Sequence, residues 1–596
     1  MKLMSKPRNI FHKIHLWSIV RRNDRRFFLF CSLIIGLIAG FLAYGLKTAV
    51  YSLRDFVLDE SFTEIRLLLF ILPTIGILIT YIMKKWVIKD HSKHNVQEIL
   101  YSISRRKSII DSHKIISSVL GAVFTAGLGG SVGLESPVIS SGAAFGSNLG
   151  RWLRMDYKKI TVLLACGSAA GISAIFNTPI AGVVFAIEVL MIDLTRFSLI
   201  PLLLASTTGT IVTHLLYTEG MLFQYTITQS FLAGNIPYYL LLAVIIAFVS
   251  LYFTKIFLYV QQVFERIKNK LVKITIGGLL FGLLLYIFPQ LYGEGYFNVT
   301  HLLNGDLDAF AGNAFMFNKI GSSALLFVIL MLCLILLKVV ATSITIAAGG
   351  IGGIFAPSAV TGAMTGYLFA FSINIIAGKL ILSPGNFALV GMAACLSGVL
   401  HAPLTGLFLI AEITSGYELI VPLMMAVTVV FIIVKLIEPH SIFTYELAKR
   451  GELITHHKDK AVLNFLKIEN VLENNLQKVP VEANLGELVD YISKSKRNIF
   501  PVIDNDGKLK GIVYIEDIRG IMFKQELYQS TSVKHLMRVP DIVVDACDTM
   551  QEVMDKFNVS NSWNLPVVQD DKYIGIISKS SLFSVYRKKL ISISED

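Results

Sequence analysis

Charge is scarce in this chain: Asp, Glu, Lys and Arg make up 16% of the 596 residues, against about 25% in soluble domains. Hydrophobic residues reach 54% and the mean hydropathy is +0.64, which excludes an ordinary soluble enzyme. Cysteine is scarce too. Cys31, Cys166, Cys333, Cys395 and Cys547 lie far apart, with no CxxC pair and no histidine cluster of metal-ligand spacing, so neither a disulfide framework nor a zinc site is indicated. Acids fall short of bases, 42 against 54, for a net charge of +12, but the placement of the excess argues against a nucleic-acid partner. Lys2, Lys6, Arg8, Lys13, Arg21, Arg22, Arg25 and Arg26 precede the apolar run Phe27–Val50, with Asp24 as the one acid. This is the positive-inside pattern of a retained membrane helix with a cytoplasmic N-terminus, and the run is too long for a cleaved signal peptide. The lipid bilayer is the first partner implied.

Apolar stretches then follow near 67–87, 115–128, 160–192, 197–217, 237–260, 273–290, 322–347, 351–377, 386–413 and 418–437. About twenty apolar residues span a bilayer. Several stretches are shorter or broken by Gly and Pro, as at Gly127–Pro137 and Gly349–Pro357. Broken helices at membrane depth are tolerated where the freed backbone is buried in protein or lines a polar cavity, so these breaks are candidate site elements. After about Lys449 charged, alternating segments begin. Phe500–Tyr514 reads as strand, turn, strand, and the pattern returns about 65 residues later at Leu565–Ser578.

The membrane part repeats as well. Adding 220 to Gly129, Gly130, Gly133, Pro137, Gly142 and Gly146 lands on Gly349, Gly350, Gly353, Pro357, Gly362 and Gly366. Adding 224 to Gly167, Pro179, Gly182 and Glu188 gives Gly391, Pro403, Gly406 and Glu412, and sets Asn177-Thr-Pro-Ile-Ala-Gly over His401-Ala-Pro-Leu-Thr-Gly. Membrane repeats of this kind put the substrate at their interface near the midplane. The broken segments after Gly130 and Gly350 are therefore expected to meet there with opposed N-termini.

The first of them, Gly129-Gly-Ser-Val-Gly-Leu-Glu-Ser-Pro, carries Glu135 two residues before Pro137. Proline favours the first turn of a helix, so Glu135 falls at a helix N-terminus, where unpaired N–H groups and the dipole attract anions. The repeat mate has Phe355 at that position. Two positive helix ends with one carboxylate between them form an anion site that contains its own competitor, opened when Glu135 is protonated or displaced. An acidic cap that only stabilises its helix is the alternative, but an ionisable residue inside a membrane is a functional candidate by default.

Gly133-Leu-Glu-Ser-Pro, Phe176-Asn-Thr-Pro-Ile-Ala-Gly-Val-Val-Phe-Ala-Ile-Glu, Gly352-Gly-Ile-Phe-Ala-Pro and Ala402-Pro-Leu-Thr-Gly resemble the signature stretches of the CLC chloride channel and transporter family, over almost the whole chain. The tail is similar to a pair of CBS domains. The resemblance implies an all-α polytopic membrane domain of two inverted repeats with broken helices, plus a cytoplasmic α/β tandem CBS domain, in a homodimer with one anion pathway per subunit. Both termini are then cytoplasmic. The divisions expected are a basic N-terminus over 1–26, a membrane domain over 27–450 with halves at about 27–217 and 237–442, a first CBS domain with its linker over 451–525 and a second over 526–596.

The resemblance makes Glu135 the gating residue and assigns anion binding to Gly133, Leu134, Ile354 and Phe355. Three departures matter. Val189 stands where proton-coupled members carry a second glutamate, after Glu188, which matches a structural position. Phe443 replaces the tyrosine whose hydroxyl bonds the anion, and His94 falls at a family serine unless Ser92 is the true match. An imidazole there could donate a hydrogen bond to the anion or titrate near neutral pH. In the tail, the Ser/Thr and Asp that hold ribose in nucleotide-binding CBS pairs are split, with Asp517 in the first copy and Ser578 in the second. An adenine nucleotide is the candidate ligand there, beside a purely dimerising role. No metal and no other cofactor is implied, and no enzyme activity. The function expected is a chloride-selective channel gated by Glu135. Its alternatives are a proton-coupled chloride or anion antiporter, a fluoride exporter, whose version usually carries a Met absent from the first anion-binding stretch here, and a membrane-anchored CBS sensor.

Overall fold

The computed structural model describes residues 25–58, 67–88, 96–217, 231–307, 310, 324–414, 416–449, 466, 468–560 and 562–594, in two units, Met1–Leu453 and Ile454–Asp596. The basic segment up to Asp24 and His94 lie outside the described residues.

The first unit is helical. Its first half holds α1 (Arg25–Leu58), α2 (Leu67–Ile82), α3 (Val96–Arg105), α4 (Lys114–Gly127), α5 (Glu135–Trp152), α6 (Tyr157–Phe176), α7 (Pro179–Glu188) and α8 (Arg196–Leu216). The second holds α9 (Ile236–Glu265), α10 (Lys270–Ile287), the short α11 (Tyr296–Leu303), α12 (Ala324–Ala348), α13 (Phe355–Ala377), α14 (Pro384–Leu400), α15 (Pro403–Ile413), α16 (Ile420–Ile437) and α17 (Ile442–Lys449). Among the described residues, nine helices are long and apolar enough to cross a membrane. Packing between them relies on small residues, because lipid tails remove the usual hydrophobic advantage of large ones. Gly36 and Gly40 of α1 lie so close to α8 that an added Cβ would fall 2.3 Å from the Ala205 carbonyl oxygen and 2.7 Å from Val212 Cβ, respectively.

Two apolar runs that read as continuous are each split in the structure. The stretch 160–192 becomes α6 and α7, and 386–413 becomes α14 and α15. Both breaks have the same local cause. Asn177 and His401 take left-handed φ values of 59° and 56°, and a proline follows two residues later at the first helical position, where its missing N–H costs nothing.

The two halves meet about a local two-fold. The Gly133 N–H donates to the Gly353 carbonyl and the Gly353 N–H to the Gly133 carbonyl, both at 2.8 Å. Gly129 and Gly349, which enter the two broken segments, take φ of 101° and 115°, values that a side chain would strain. The reciprocity extends to the second break. Glu188 accepts from the N–H groups of Leu404 (2.9 Å) and Thr405 (2.7 Å) at the start of α15. Glu412 accepts from those of Ile180 (3.0 Å) and Ala181 (2.8 Å) at the start of α7. Each half caps a helix of the other.

The second unit holds two three-stranded sheets. In the first, β1 (Val479–Pro480) runs parallel to β2 (Ile499–Ile503), which pairs antiparallel with β3 (Leu509–Tyr514). In the second, β4 (Val544–Asp545), β5 (Asn564–Gln569) and β6 (Lys572–Ser578) repeat the same order. Helices α18 (Leu485–Ser493) and α21 (Met550–Ser560) precede the central strands, the short α19 (Ile515–Ile518) and α20 (Val533–Leu536) lie between the two sheets, and α22 (Lys579–Ser594) follows β6. The copies exchange edges: Arg538, ahead of the second sheet, bridges to Ile512 of the first, and Glu473, ahead of the first sheet, bridges to Ile576 of the second.

Candidate functional site

Both broken segments end in helices that begin at the expected residues, α5 at Glu135 and α13 at Phe355. The N–H groups of a helix's first turn have no partner within the helix, and Pro137 and Pro357 contribute none. The paired glycine bridge holds these two ends against each other. An added Cβ on Gly133 would lie 2.1 Å from Glu135 Oε2 and 3.1 Å from the Ala356 backbone nitrogen, so the carboxylate and the first turn of α13 border the same small volume. Gly133, Leu134, Glu135, Ile354 and Phe355 are all buried. Five of the residues expected at the anion site are thus brought together.

Glu135 is fully buried, and its two oxygens differ. Oε1 accepts from the Tyr296 hydroxyl at 3.0 Å. Oε2 faces Gly133, where the backbone N–H of Ala356 at the start of α13 is directed toward the carboxylate. A buried carboxylate is costly unless donors face it, and the two positive helix ends that face this one could equally hold a small anion. Phe176 frames the place, its ring 5.5 Å from that of Phe355 and edge-on to that of Tyr296 at 6.0 Å. On one side lies a cavity of about 580 Å³ lined by Lys47, Tyr51, Arg54, Leu134, Phe176, Glu294 and Tyr296, among others.

Tyr296, Glu294 and Lys47 were not read from the sequence. The signal was present: Gly293-Glu-Gly-Tyr sets an acid between glycines directly after an apolar run, as Gly133-Leu-Glu does, but without a repeat mate to mark it.

Val189 is buried at the C-terminal end of α7, and the neighbouring Glu188 is committed to α15. We expect Glu188→Ala and Glu412→Ala to lower stability by similar amounts, about 1–2 kcal/mol each, as equal falls in the thermal melt of the detergent-solubilised protein, with pH dependence of transport unchanged. Loss of that dependence in Glu188→Ala alone would give Glu188 a transport role. Phe443 is buried in the first turn of α17, and Gln97 of α3 donates to the adjacent Ile442 carbonyl at 2.8 Å. No hydrogen bond or ring contact joins Phe443 to the two broken segments among the described residues.

In the tail, the Asp517 carboxylate is paired with Arg538. The Ser578 hydroxyl donates to Glu473 at 2.7 Å and accepts from the Ser581 N–H at 3.0 Å, and Glu473 is also paired with Arg497. A ribose would have to displace these partners, and neither copy holds the hydroxyl and the carboxylate together. The residues present do not form a ribose clamp.

Residues 75–435 match the family profile described as voltage gated chloride channel, and residues 468–524 and 533–588 match that of the CBS domain. The chain is 27% identical to the Chloride channel protein CLC-f of Arabidopsis thaliana over 72% of its own length, which spans 60% of that protein. It is 26% identical to the H(+)/Cl(-) exchange transporter ClcA of Vibrio campbellii, over 70% of this chain and 88% of that one. In fold it is similar to a slow cyanobacterial Cl-/H+ antiporter, with a TM-score of 0.62 at 22% identity over 71% of this chain and 97% of that one. A eukaryotic CLC transporter gives 0.58 at 18% identity over 93% and 97%.

Proposed function

The chain belongs to the voltage-gated chloride channel family, and from that premise we propose that it carries chloride across the membrane along a path gated by Glu135. It is an integral, multi-pass membrane protein. The observation that carries the reading is the pair of opposed helix N-termini at Glu135 and Phe355, bound to each other through Gly133 and Gly353, with one carboxylate between them. A small anion is held there by amide dipoles rather than by a fixed cation, so it is bound and released without a strong ion pair. We further propose that two copies associate, each with its own path, and that the basic residues 1–26 keep the N-terminus cytoplasmic, with the CBS pair on the same side.

The first reading of the transport mode is passive. Val189 cannot carry a proton, and Glu188, the nearest acid in sequence, is occupied by two backbone N–H groups and the Thr405 hydroxyl of the other half. Proton-coupled exchange is the second reading, favoured by relatives named as H(+)/Cl(-) exchange transporters. The two part in one experiment. A chloride gradient is imposed on proteoliposomes with no pH difference, and chloride and proton fluxes are followed together. Passive conduction predicts no uphill proton movement and a reversal potential set by chloride alone. Uphill proton movement lost in Glu135→Gln would establish exchange instead.

A further inference from the structure

The loop Gly293–Tyr296 is tied to the broken segments from several sides. The Gly293 N–H donates to the Gly129 carbonyl at 3.3 Å, and the Tyr292 hydroxyl to the Gly127 carbonyl at 2.5 Å. The buried Lys338 ammonium donates to the Gly293 carbonyl at 2.8 Å. Lys338 belongs to α12, the helix that leads directly into the second broken segment. The loop is therefore fixed relative to both halves of the anion site. It delivers the Tyr296 hydroxyl to Glu135 Oε1 at 3.0 Å, on a ring held edge-on against Phe176.

We propose that Tyr296 is a positioning residue of the gate: its hydroxyl latches the Glu135 carboxylate in the anion path and so sets the pH at which that path opens. The inference rests on Glu135 being the gate. A phenol can donate to a carboxylate but gains less from a protonated carboxyl, so the bond favours the charged, blocking form. The latch releases when Glu135 takes up a proton. Other charged groups act on this pair. Glu294 on the same loop opposes a charge on Glu135, and Lys47 of α1 favours one. Glu294 is itself held by the Tyr51 hydroxyl at 2.8 Å, and Lys338 faces it from α12. These remain in place when the Tyr296 hydroxyl is removed, which makes Tyr296→Phe a clean probe.

The test is chloride efflux from proteoliposomes holding the full-length wild type, Tyr296→Phe, Glu135→Gln or the double variant, across acidic to alkaline pH. Loss of one charge-assisted hydrogen bond moves the midpoint of the pH profile by about one unit toward alkaline values, a change of about tenfold in flux on the rising limb. In the Glu135→Gln background the same substitution changes flux less than about twofold, because no charge remains to be latched. An unmoved midpoint, or an equal change in both backgrounds, overturns the latch. If Glu135→Gln itself leaves flux and its pH profile unchanged, the gate has failed rather than the latch. Should the phenylalanine variant not fold, 3-fluorotyrosine at 296 keeps the shape and donates more strongly, and must move the midpoint toward acid; an unmoved midpoint there counts against the proposal in the same way.

Discussion

Replacing Glu135 by glutamine is expected to raise chloride flux about tenfold or more at alkaline pH, where the wild-type carboxylate is charged, equivalent to about 1.4 kcal/mol or more off the barrier, and to flatten its pH dependence. Glutamine has the shape of the protonated acid and cannot ionise. In the proposed gate the charged side chain competes with chloride for the space beside Gly133 and the first turn of α13, which the carboxylate borders. Neutralising it removes the competitor while leaving both helix ends to hold the anion. The sign follows directly. Protons convert the carboxylate into the form that glutamine imitates, so wild-type flux rises as pH falls, whereas the variant conducts at its full rate throughout. Efflux from proteoliposomes at a series of pH values reads both effects. Wild-type flux with a wild-type profile would reduce Glu135 to a helix cap.

Gly167→Ala is expected to abolish the folded protein, one of the largest effects a single methyl group should have in the membrane unit. A Cβ at Gly167 would lie 1.9 Å from the Gly142 carbonyl oxygen and 2.3 Å from its carbon. Both obstacles are backbone, so no rotamer change relieves them, and α6 must separate from α5, the helix that carries Glu135. Overpacking of this kind costs about 3 kcal/mol or more. Gly391→Ala should fail in the same manner, since its Cβ would fall 2.4 Å from the Gly362 carbonyl oxygen. Gly45 of α1, with nothing within 4 Å of an added Cβ, provides the contrast: alanine there removes only a poor helix former and should be neutral or stabilising by about 0.5–1 kcal/mol. Size-exclusion profiles and thermal melts in detergent separate the three. A Gly167→Ala protein with the wild-type melting temperature would show that α5 and α6 can part freely.

These glycines explain why so much of the architecture was legible in the chain. Gly142 with Gly167 and Gly362 with Gly391 are repeat mates, and the offsets of 220 and 224 preserve backbone contacts where nothing but hydrogen fits. The same offsets mark Glu188 and Glu412, whose exchange of caps could be read as structural though not as reciprocal. The breaks at Asn177 and His401 were hidden inside apolar runs, because a left-handed turn made by a non-glycine residue leaves little trace in hydropathy; the prolines at 179 and 403 were the available clue. Tyr296 escaped notice for a different reason. It comes from a short helix 161 residues away from Glu135 in the chain, and only packing sets its hydroxyl on the carboxylate. In the tail the two copies were plain from their strand pattern, but the exchange of edges that sets Arg538 against Asp517 and Glu473 against Ser578 is tertiary and has no local signature.

In the proposed gate chloride and the Glu135 carboxylate compete for one place between two helix ends, and anomalous diffraction from bromide-soaked crystals reads that competition at the atoms involved. In Glu135→Gln crystals a bromide peak is expected between the first turns of α5 and α13, within hydrogen-bond range of the Phe355 or Ala356 N–H, with a weaker or absent peak there in the wild type at the pH where flux is low. A Glu135→Gln protein that conducts chloride but shows no bromide at that place, or a wild type that binds bromide there with the carboxylate unmoved, would contradict it.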